Sequence, residues 1–321
     1  MFRSERARMA YRPSPGADSG GAAANAEAPP AESRTLLLVN PNARSGKGDL
    51  RKITEPLQEL GPVVAPKSVG PEAVRRAIAY YADSVDRIVV GGGDGSLHAA
   101  LPATLEAGLP LGVLPLGTAN DFARSLGIPD ARSAIEVILG GNTKTVDVGV
   151  VNKVPFLNAV GIGLGPDINR DLDKESKSSL GAFAYLLQGL RNLRESRGMR
   201  AVLDCDGSTS VLRSLQITIG NGIHYGGGMT ISKDARLDDG LLHVLSIAPQ
   251  SGWHLLMKGP ALRTGDTENA PELRTFRAKR VSVRTRRPMN VTADGEQVTR
   301  TPVECHTIGG RLRVFAPPTT E

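Results

Sequence analysis

Three glycines followed by a carboxylate form the segment of this sequence best suited to chemistry. Residues 88–96 read Ile-Val-Val-Gly-Gly-Gly-Asp-Gly-Ser, a β-branched run typical of a buried strand that ends in a glycine turn. Without Cβ atoms, the glycines let a ligand approach the backbone N–H groups closely. Asp94 adds a negative charge beside those groups, and an anionic ligand next to a carboxylate favours a divalent cation between them. The segment therefore predicts binding of nucleotide phosphates together with Mg²⁺.

Two further loops could supply groups to the same phosphates. Residues 40–48 read Asn-Pro-Asn-Ala-Arg-Ser-Gly-Lys-Gly. They lack the spacing of a Walker A loop but offer backbone N–H groups and an ammonium group, with an ordinary surface turn as the alternative. Residues 115–123 offer a glycine, a threonine hydroxyl and an Asn-Asp pair at a predicted helix start. Capping of that helix is the simpler role of the pair, and it is compatible with ligand contact.

Two acidic turns complete the set of candidate chemical groups. Asp294-Gly295-Glu296 lies between two predicted strands, and phosphoryl transfer to an alcohol needs a carboxylate near the hydroxyl. Asp-Gly is also a common hairpin signal, and in isolation a plain turn is the better interpretation. Asp238 and Asp239 precede another predicted strand. Such a pair can bind a hard cation together with backbone carbonyls, or simply form a turn.

Composition and residue counts exclude several classes of protein. The chain has 321 residues, of which 40% are hydrophobic and 22% charged, as in a soluble globular protein of two domains. It contains no run of about 18 apolar residues that would predict a transmembrane helix. Its two cysteines lack a disulfide or metal pattern and favour a cytoplasmic location, and its five histidines lack zinc-site spacing. The net charge of +6 is too diffuse for a nucleic-acid-binding stripe but suits anionic ligands or an anionic membrane surface.

The elements that must position these groups follow two different patterns along the chain. Residues 1–33 are rich in Ala, Gly, Pro and Arg and are expected to be a disordered arm. Residues 34–143 alternate short buried strands with helices, which predicts parallel βαβ units whose ligand loops lie at the carboxyl ends of the strands. Residues 144–310 are a succession of strands joined by Gly- and Asp-rich turns, which predicts an antiparallel sandwich or flattened barrel.

Some boundaries in this plan are specific expectations. We expect single strands over residues 154–159, 212–220 and 298–307. The helix predicted over 97–107 contains Pro102, which must kink it or confine it to two turns. The apolar stretch 180–190 is helical in pattern, and it is expected either to touch acyl chains at the membrane or to be a core helix.

Taken together, the five segments resemble those of the bacterial diacylglycerol-kinase-like lipid kinases of the YegS type. They occur in that family's order and span roughly residues 35–316: Asn40-Pro41 with Gly46-Lys47-Gly48, Gly91–Ser96, Leu114–Ala123, Asp238–Leu241 and Asp294–Glu296. The resemblance implies an α/β plus all-β fold. A Rossmann-like N-terminal domain would bind ATP, a C-terminal antiparallel β-sandwich would receive the lipid, and the active site would lie in the cleft between them. In such kinases the last strand often returns to the first domain, which makes 311–317 a candidate strand of that domain.

The resemblance also assigns roles by position. Residues matching the family's ATP site are Asn40, Ser68, Gly92, Gly93, Asp94, Gly95, Ser96, Leu97, His98, Ala99, Gly117, Thr118, Asn120 and Asp121. Asp94 and Asp121 would organise Mg²⁺ and the phosphates. Glu296 matches the proton acceptor, and with Asp294 and Asp94 it makes up the expected catalytic set. Asp239 would bind a structural Mg²⁺ with the carbonyls of Arg236 and Leu241.

The sequence departs from the family at a few positions, and it leaves the substrate open. The family usually has Thr in place of Ser96 and Asn-Glu in place of His98 and Ala99, and a further ATP-contacting Thr would fall near Ser68. Diacylglycerol, phosphatidylglycerol and sphingoid bases all present a suitable hydroxyl. Expected partners are the lipid and the inner membrane surface, without nucleic acid and with a homodimer left open. The alternative functions are a soluble-substrate kinase of the NAD-kinase type and a non-catalytic nucleotide- or lipid-binding regulator.

Overall fold

The computed structural model describes residues 33–41, 43, 51–67, 69–163, 198–249, 264, 270 and 272–318. Most of the predicted arm, residues 42 and 44–48 of the basic loop, Ser68 and the apolar stretch 180–190 lie outside the described residues. Ser33, the last residue of that arm, is described and buried, and its hydroxyl accepts a hydrogen bond from the Arg87 guanidinium.

A parallel sheet with helices forms the first half of the chain, as the βαβ pattern predicts. Its strands are β1 (Thr35–Val39), β2 (Val63–Val64), β3 (Arg87–Gly92) and β4 (Leu111–Pro115), paired in the order β2-β1-β3-β4. The helices are α1 (Arg51–Leu57), α2 (Pro71–Tyr81), α3 (Asp94–Ala107), α4 (Asp121–Ser125) and α5 (Ala131–Leu139). Every residue of β3 and β4 is buried, which explains why these strands, apart from Arg87 at the start of β3, are continuous apolar and glycine runs.

Helix α3 begins at the carboxylate that follows the glycines. It starts at Asp94, three residues earlier than predicted, and continues through Pro102 to Ala107. The expectation that Pro102 confines the helix to two turns is therefore wrong. A proline in a helix removes one backbone hydrogen bond, whereas α3 buries a row of apolar side chains, including Leu97 and Leu101, against the sheet core.

The parallel sheet continues without interruption into the second half of the chain. The long strand β18 (Val303–Phe315) lies parallel to β4 at Val314 and antiparallel to β5 (Thr143–Val151). Beyond β18 the sheet adds β15 (Arg280–Thr285), β8 (Met199–Cys205) and β9 (Ser208–Ser214), and β6 (Val154–Phe156) pairs with β5. One mixed ten-stranded sheet thus runs through both halves.

A second, antiparallel sheet packs on that extension and forms the predicted sandwich. It contains β7 (Ala159–Gly163), β10 (Gln216–Gly220), β13 (Leu242–Ile247), β14 (Leu273–Ala278), β16 (Asn290–Ala293) and β17 (Glu296–Arg300), in the order β14-β13-β10-β7-β16-β17. A short ribbon, β11 (His224–Tyr225) and β12 (Met229–Thr230), lies apart. Buried Val, Ile and Leu side chains from both sheets form one core. The two-part fold, α/β plus an antiparallel β-sandwich, is confirmed.

Three segments expected to be single strands each divide into two strands that belong to different sheets. The breaks occur at residues 157–158, 215 and 301–302. At the first break the backbone N–H groups of Leu157 and Asn158 donate to the Asp294 carboxylate instead of to a strand. Residue periodicity shows which side chains are buried but not which sheet buries them, and this is why the division was missed. Strand β14 was also missed because most of its residues are not fully buried.

Candidate active site

The loops after β1 and β3 border a cavity of about 330 Å³ at the carboxyl end of the parallel sheet. Its walls comprise the backbone of the glycine turn, apolar side chains of β1, β3 and α2, and Glu296 from β17; the lining residues are Leu38, Val39, Asn40, Gly70, Pro71, Val74, Val90, Gly91, Gly93, Gly95, Ser96, Ala99 and Glu296. This size and this mixture of apolar and polar lining suit a small organic ligand with a polar end. The cavity therefore has the position and chemistry expected for a nucleotide.

The three ligand loops are joined by backbone hydrogen bonds. The Asn40 N–H donates to the Gly91 carbonyl over 2.9 Å, and the Leu116 N–H donates to the Gly92 carbonyl over 2.9 Å. Glycine is required at position 117, where the loops after β3 and β4 meet, because a Cβ atom on Gly117 would lie 2.4 Å from the Gly93 Cα. The predicted clustering of these loops at one edge of the sheet is confirmed.

Asp94 connects the first turn of α3 to two other segments. Its carboxylate accepts hydrogen bonds from the N–H groups of Asp121 at 3.1 Å and Phe122 at 3.2 Å, and from the Asn158 side-chain amide at 3.0 Å. Burial raises the pKa of the Asp94 carboxyl, and the nearby Asp294 charge adds to this shift. A positive group brought to this carboxylate would offset both effects.

Asp121 lies at the start of α4 and holds a glycine turn of the second half. Its carboxylate accepts hydrogen bonds from Gly227 N at 2.9 Å and Gly228 N at 2.8 Å. Burial, together with repulsion from Asp94, raises the pKa of the Asp121 carboxyl to about 6. Its neighbour Asn120 does not cap α4 with its side chain and instead closes the preceding loop by bonding both backbone groups of Gly117.

The two acids of the turn between β16 and β17 have different environments. The side chain of Asp294 is 1% exposed, and its carboxylate accepts from the N–H groups of residues 157, 158 and 159. Glu296 is exposed and lines the cavity. Its Oε1 lies 3.3 Å from where a Cβ on Gly95 would stand, which places the carboxylate against the first turn of α3. Geometry thus makes Asp294 a fixed structural acceptor and leaves Glu296 able to reach a ligand.

The carboxylates near the cavity fit a Mg²⁺ ion shared with a nucleotide. Among the described residues, no group of three or more His, Cys, Asp or Glu side chains could hold a metal by itself. Mg²⁺ in nucleotide sites usually takes only one or two carboxylates, with phosphates and waters as the other ligands. Asp94 and Asp121 do not themselves line the cavity, but Asp94 lies between the lining residues Gly93 and Gly95, and both carboxylates could provide these ligands at its border. The Asn158 Oδ1 is buried without a hydrogen-bond partner in the described structure, although its amide bonds Asp94.

The structural Mg²⁺ predicted at Asp239 stays a prediction. The Asp239 carboxylate accepts from the N–H groups of Arg236 at 3.1 Å and Leu241 at 2.9 Å, and it lies 2.9 Å from the His243 Nε2. These three partners leave room for one further ligand on Oδ1, which a cation could fill. Hydrogen bonds to the charged form outweigh burial and lower the pKa of the Asp239 carboxyl.

The remaining predicted ATP-site residues fall into four different places. Ser96 and Ala99 line the cavity, and the Ser96 hydroxyl accepts a hydrogen bond from the Asn40 amide. Leu97 is buried in the sheet core, and Thr118 is exposed on its loop. His98 lies against Asp294, with 3.2 Å between Nδ1 and Oδ2. Sequence reasoning gave no sign of Gly70, Pro71 and Val74, which reach the cavity because α2 packs beside α3.

Two buried polar residues that support the site were also missed. Asn158 joins Asp94 to Asp294, as described above. Asp147 is buried within β5, and its carboxylate accepts from Gly240 N at 2.7 Å and Gly310 N at 2.8 Å. An acid inside the apolar run Val-Asp-Val was a visible signal, since such a group is buried only with partners.

Within the part of the chain that the structure describes, no helix combines the length and apolar character needed to cross a membrane.

Comparison with known proteins agrees with this geometry. Residues 34–151 match the model of the diacylglycerol kinase catalytic domain, and residues 158–316 match the YegS C-terminal NAD kinase beta sandwich-like domain. A "Probable lipid kinase YegS-like" protein of Pseudomonas aeruginosa (strain UCBPP-PA14) is 31% identical over 286 residues, which cover 88% of this chain and 94% of that protein. An uncharacterized protein of Synechocystis, sll0036, is 32% identical over 243 residues, which are 72% of this chain and 54% of that protein.

A solved structure shares the fold. A Bacillus anthracis str. Sterne protein, described as a candidate diacylglycerol kinase, superposes with a TM-score of 0.79 at 27% identity, covering 90% of this chain and 97% of that one. The cavity, the carboxylates around it and these matches lead to one assignment. The chain belongs to the family of YegS-like lipid kinases that carry the diacylglycerol kinase catalytic domain.

Proposed function

We propose that this kinase transfers the γ-phosphoryl group of ATP to the hydroxyl of a lipid, such as diacylglycerol or phosphatidylglycerol. The observation that carries the proposal is the position of Glu296, which lines the same cavity as the glycine turn and lies against the first turn of α3. A carboxylate beside a phosphate-binding helix terminus is suited to accept a proton from an attacking hydroxyl.

The chain's own residues account for most of what the transfer needs. Backbone N–H groups of the glycine turn and the Ser96 hydroxyl bind the phosphates, aided by the positive end of the α3 dipole. Asp94 and Asp121 would hold Mg²⁺, which neutralises charge on the phosphates when bound. Glu296 orients the lipid hydroxyl and takes its proton. Asp294 keeps the turn in place and does not itself take the proton, since its oxygens are occupied by N–H donors.

A transfer assay with radiolabelled ATP tests this proposal. The protein is incubated with Mg²⁺ and labelled ATP against a panel of diacylglycerol, phosphatidylglycerol and a sphingoid base, and against NAD, and products are separated by thin-layer chromatography. We expect a labelled lipid and unlabelled NAD. Labelled NAD with unlabelled lipid would contradict the lipid assignment, and ATP binding without any transfer would indicate a regulator.

Asp94→Asn is the matched variant for this assay. The amide keeps the size of the side chain but removes the charge that would hold Mg²⁺, so we expect transfer to be lost. Circular dichroism should show an unchanged fold. Turnover by Asp94→Asn at the wild-type rate would overturn the role of Asp94.

We also propose that the enzyme meets its lipid at a membrane surface. The net charge of +6 supports attraction to anionic lipid. Sedimentation with phosphatidylglycerol vesicles, compared with phosphatidylcholine vesicles, measures this attraction.

We further propose that Asp239 holds a structural Mg²⁺. The remaining ligand position on the Asp239 Oδ1 supports this proposal. Mg²⁺ should raise the melting temperature of the wild type more than that of Asp239→Asn, and equal shifts would contradict the site.

A further inference from the structure

Helix α3 is attached to the second half of the chain at two points one helical turn apart. Asp94 and His98 are separated by four residues and therefore lie on the same face of the helix. Asp94 accepts from the Asn158 amide at 3.0 Å, and the His98 Nδ1 lies 3.2 Å from the Asp294 Oδ2. The Asn158 N–H donates to the Asp294 Oδ1 over 2.7 Å. These contacts close a ring of four residues that joins α3 to the β6–β7 connection and to the β16–β17 turn.

The contact between His98 and Asp294 is shielded from water. The side chain of His98 is 15% exposed and that of Asp294 is 1% exposed. A carboxylate can only accept hydrogen bonds, so the Nδ1 of His98 donates. Hydrogen bonds to a buried charge are among the stronger ones in proteins, and loss of one leaves the charge incompletely solvated. His98 is thus the side chain on α3 that holds the Asp294 carboxylate in place.

The position of the β16–β17 turn decides where Glu296 lies. The turn is tight, with φ values of 49° at Asp294 and 89° at Gly295, so the chain has little freedom between the fixed acid and the start of β17. The Glu296 Oε1 is close to Gly95, only three residues before His98 along α3. A shift of the turn relative to α3 would therefore move Glu296 relative to the cavity.

His98 has little opportunity to act on the nucleotide directly. Ser96 and Ala99, on either side of it along α3, line the cavity, whereas His98 is not among the described residues that do so. Its ring nitrogen is instead engaged by Asp294. A loss of this side chain should consequently affect the transfer step more than ATP binding.

We propose that His98 is a positioning residue, which holds Asp294 and through it sets the place of Glu296 over the first turn of α3. This inference rests on the proposed role of Glu296 in lipid phosphorylation. It assigns His98 to the transfer step and not to the recognition of ATP.

His98→Asn and His98→Leu form a matched pair that tests the inference. The asparagine amide can place a donor where the His98 Nδ1 lies. Leucine has nearly the same shape as asparagine but no hydrogen-bond donor. We expect His98→Leu to lower kcat by about 10- to 100-fold, as for a small misplacement of a catalytic group. Its KM for ATP should change less than twofold, within ~0.4 kcal/mol of binding. His98→Asn should recover most of the wild-type kcat.

Three results would overturn the proposal. They are a wild-type kcat in His98→Leu, a raised KM for ATP with kcat unchanged, and a His98→Asn variant as slow as His98→Leu. If His98→Leu does not fold, His98→Gln replaces it, because its amide lies near the position of Nε2 and is displaced from that of Nδ1. The same expectations then apply to His98→Gln.

Hydrogen exchange provides a readout that does not depend on activity. In His98→Leu, the amides of residues 157–159, which donate to Asp294, should exchange faster than in the wild type, while those of β3 should not change. Unchanged exchange at 157–159 would overturn the proposed coupling. If the wild type phosphorylates no lipid but the amides of residues 157–159 exchange faster in His98→Leu, the proposed function fails. The proposed coupling between His98 and Asp294 then stands.

Discussion

Four carboxylates surround the first turns of α3 and α4, and their surroundings give them different properties. Burial raises the pKa of Asp94 and that of Asp121; the charge of Asp294 adds to the first shift, and the charge of Asp94 adds to the second. Such a pair gains from a bound cation. Asp294 is saturated by N–H donors, and Glu296 is exposed at the cavity. Residue type alone suggested that the two acids of the β16–β17 turn could share one role, whereas their hydrogen bonds separate them.

Substitution of Glu296 should affect transfer without affecting folding. Glu296→Gln removes the proton-accepting charge from an exposed side chain, so we expect kcat to fall by about 10²- to 10⁴-fold, the usual contribution of a general base. The melting temperature and the affinity for ATP should stay near wild type, as measured by thermal unfolding and calorimetry. Asp294→Asn is the contrasting variant, because loss of a buried acceptor should lower the melting temperature.

Gly95→Ala should also lower activity without lowering stability. A Cβ at this position would lie 3.3 Å from the Glu296 Oε1, which is close enough to displace the carboxylate. Alanine is by itself a better helix residue than glycine. We therefore expect an unchanged or higher melting temperature with kcat lowered by about tenfold. A variant with wild-type kcat would show that Glu296 adjusts its position freely.

At the scale of elements, close approach between the β3–α3 and β4–α4 loops brings the proposed phosphate-binding groups together. The backbones of Gly93 and Gly117 lie against each other, and the Asn120 side chain closes the β4–α4 loop. The sequence predicted which loops share the sheet edge, because carboxyl ends of parallel strands meet there. It did not indicate that the Gly93 backbone lies so close to Gly117 that a side chain at position 117 is excluded.

Gly117→Ala should therefore damage both stability and nucleotide binding. Its methyl group would overlap the Gly93 Cα at 2.4 Å, and we expect the free energy of unfolding to drop by about 1–3 kcal/mol, as for other overpacked sites. Urea denaturation and ATP titration measure the two effects. Gly140→Ala is a suitable control, since its nearest neighbour would lie at 3.4 Å. Equal behaviour of the two variants would contradict the packing argument.

At the scale of the whole molecule, the ten-stranded sheet runs continuously through the two halves. Strand β18 pairs with β4 of the first half and with β15 of the sandwich. Asp147 adds a polar connection, since its carboxylate bonds Gly310 on β18 and Gly240 before β13. The cavity is completed only when Glu296 of the second sheet meets α3 of the first half.

Asp147→Asn should destabilise the molecule without touching the cavity. In asparagine one carboxylate oxygen is replaced by an NH₂ group, which donates and cannot accept, so one of the two glycine N–H groups would lose its partner. The cost of one unsatisfied buried group is about 1–3 kcal/mol, measurable by urea denaturation. KM for ATP should not change in the folded variant. An unfolding free energy equal to that of the wild type would show that water replaces the lost contact.

The sequence by itself determined the kinds of element and the edge of the sheet where the ligand loops cluster. Buried strands, glycine turns and helix starts depend on local patterns, and the five ordered segments identified the family before any contact was known. Only the tertiary structure decided which side chains line the cavity and which hold other residues. Asp94, Asn158, Asp294 and His98 are joined by hydrogen bonds across 64 to 196 positions of the chain, and such pairings have no periodicity that a sequence can reveal. Their roles depend on burial and on hydrogen-bond partners, which arise only when the glycine turn and the acidic turn are folded against each other.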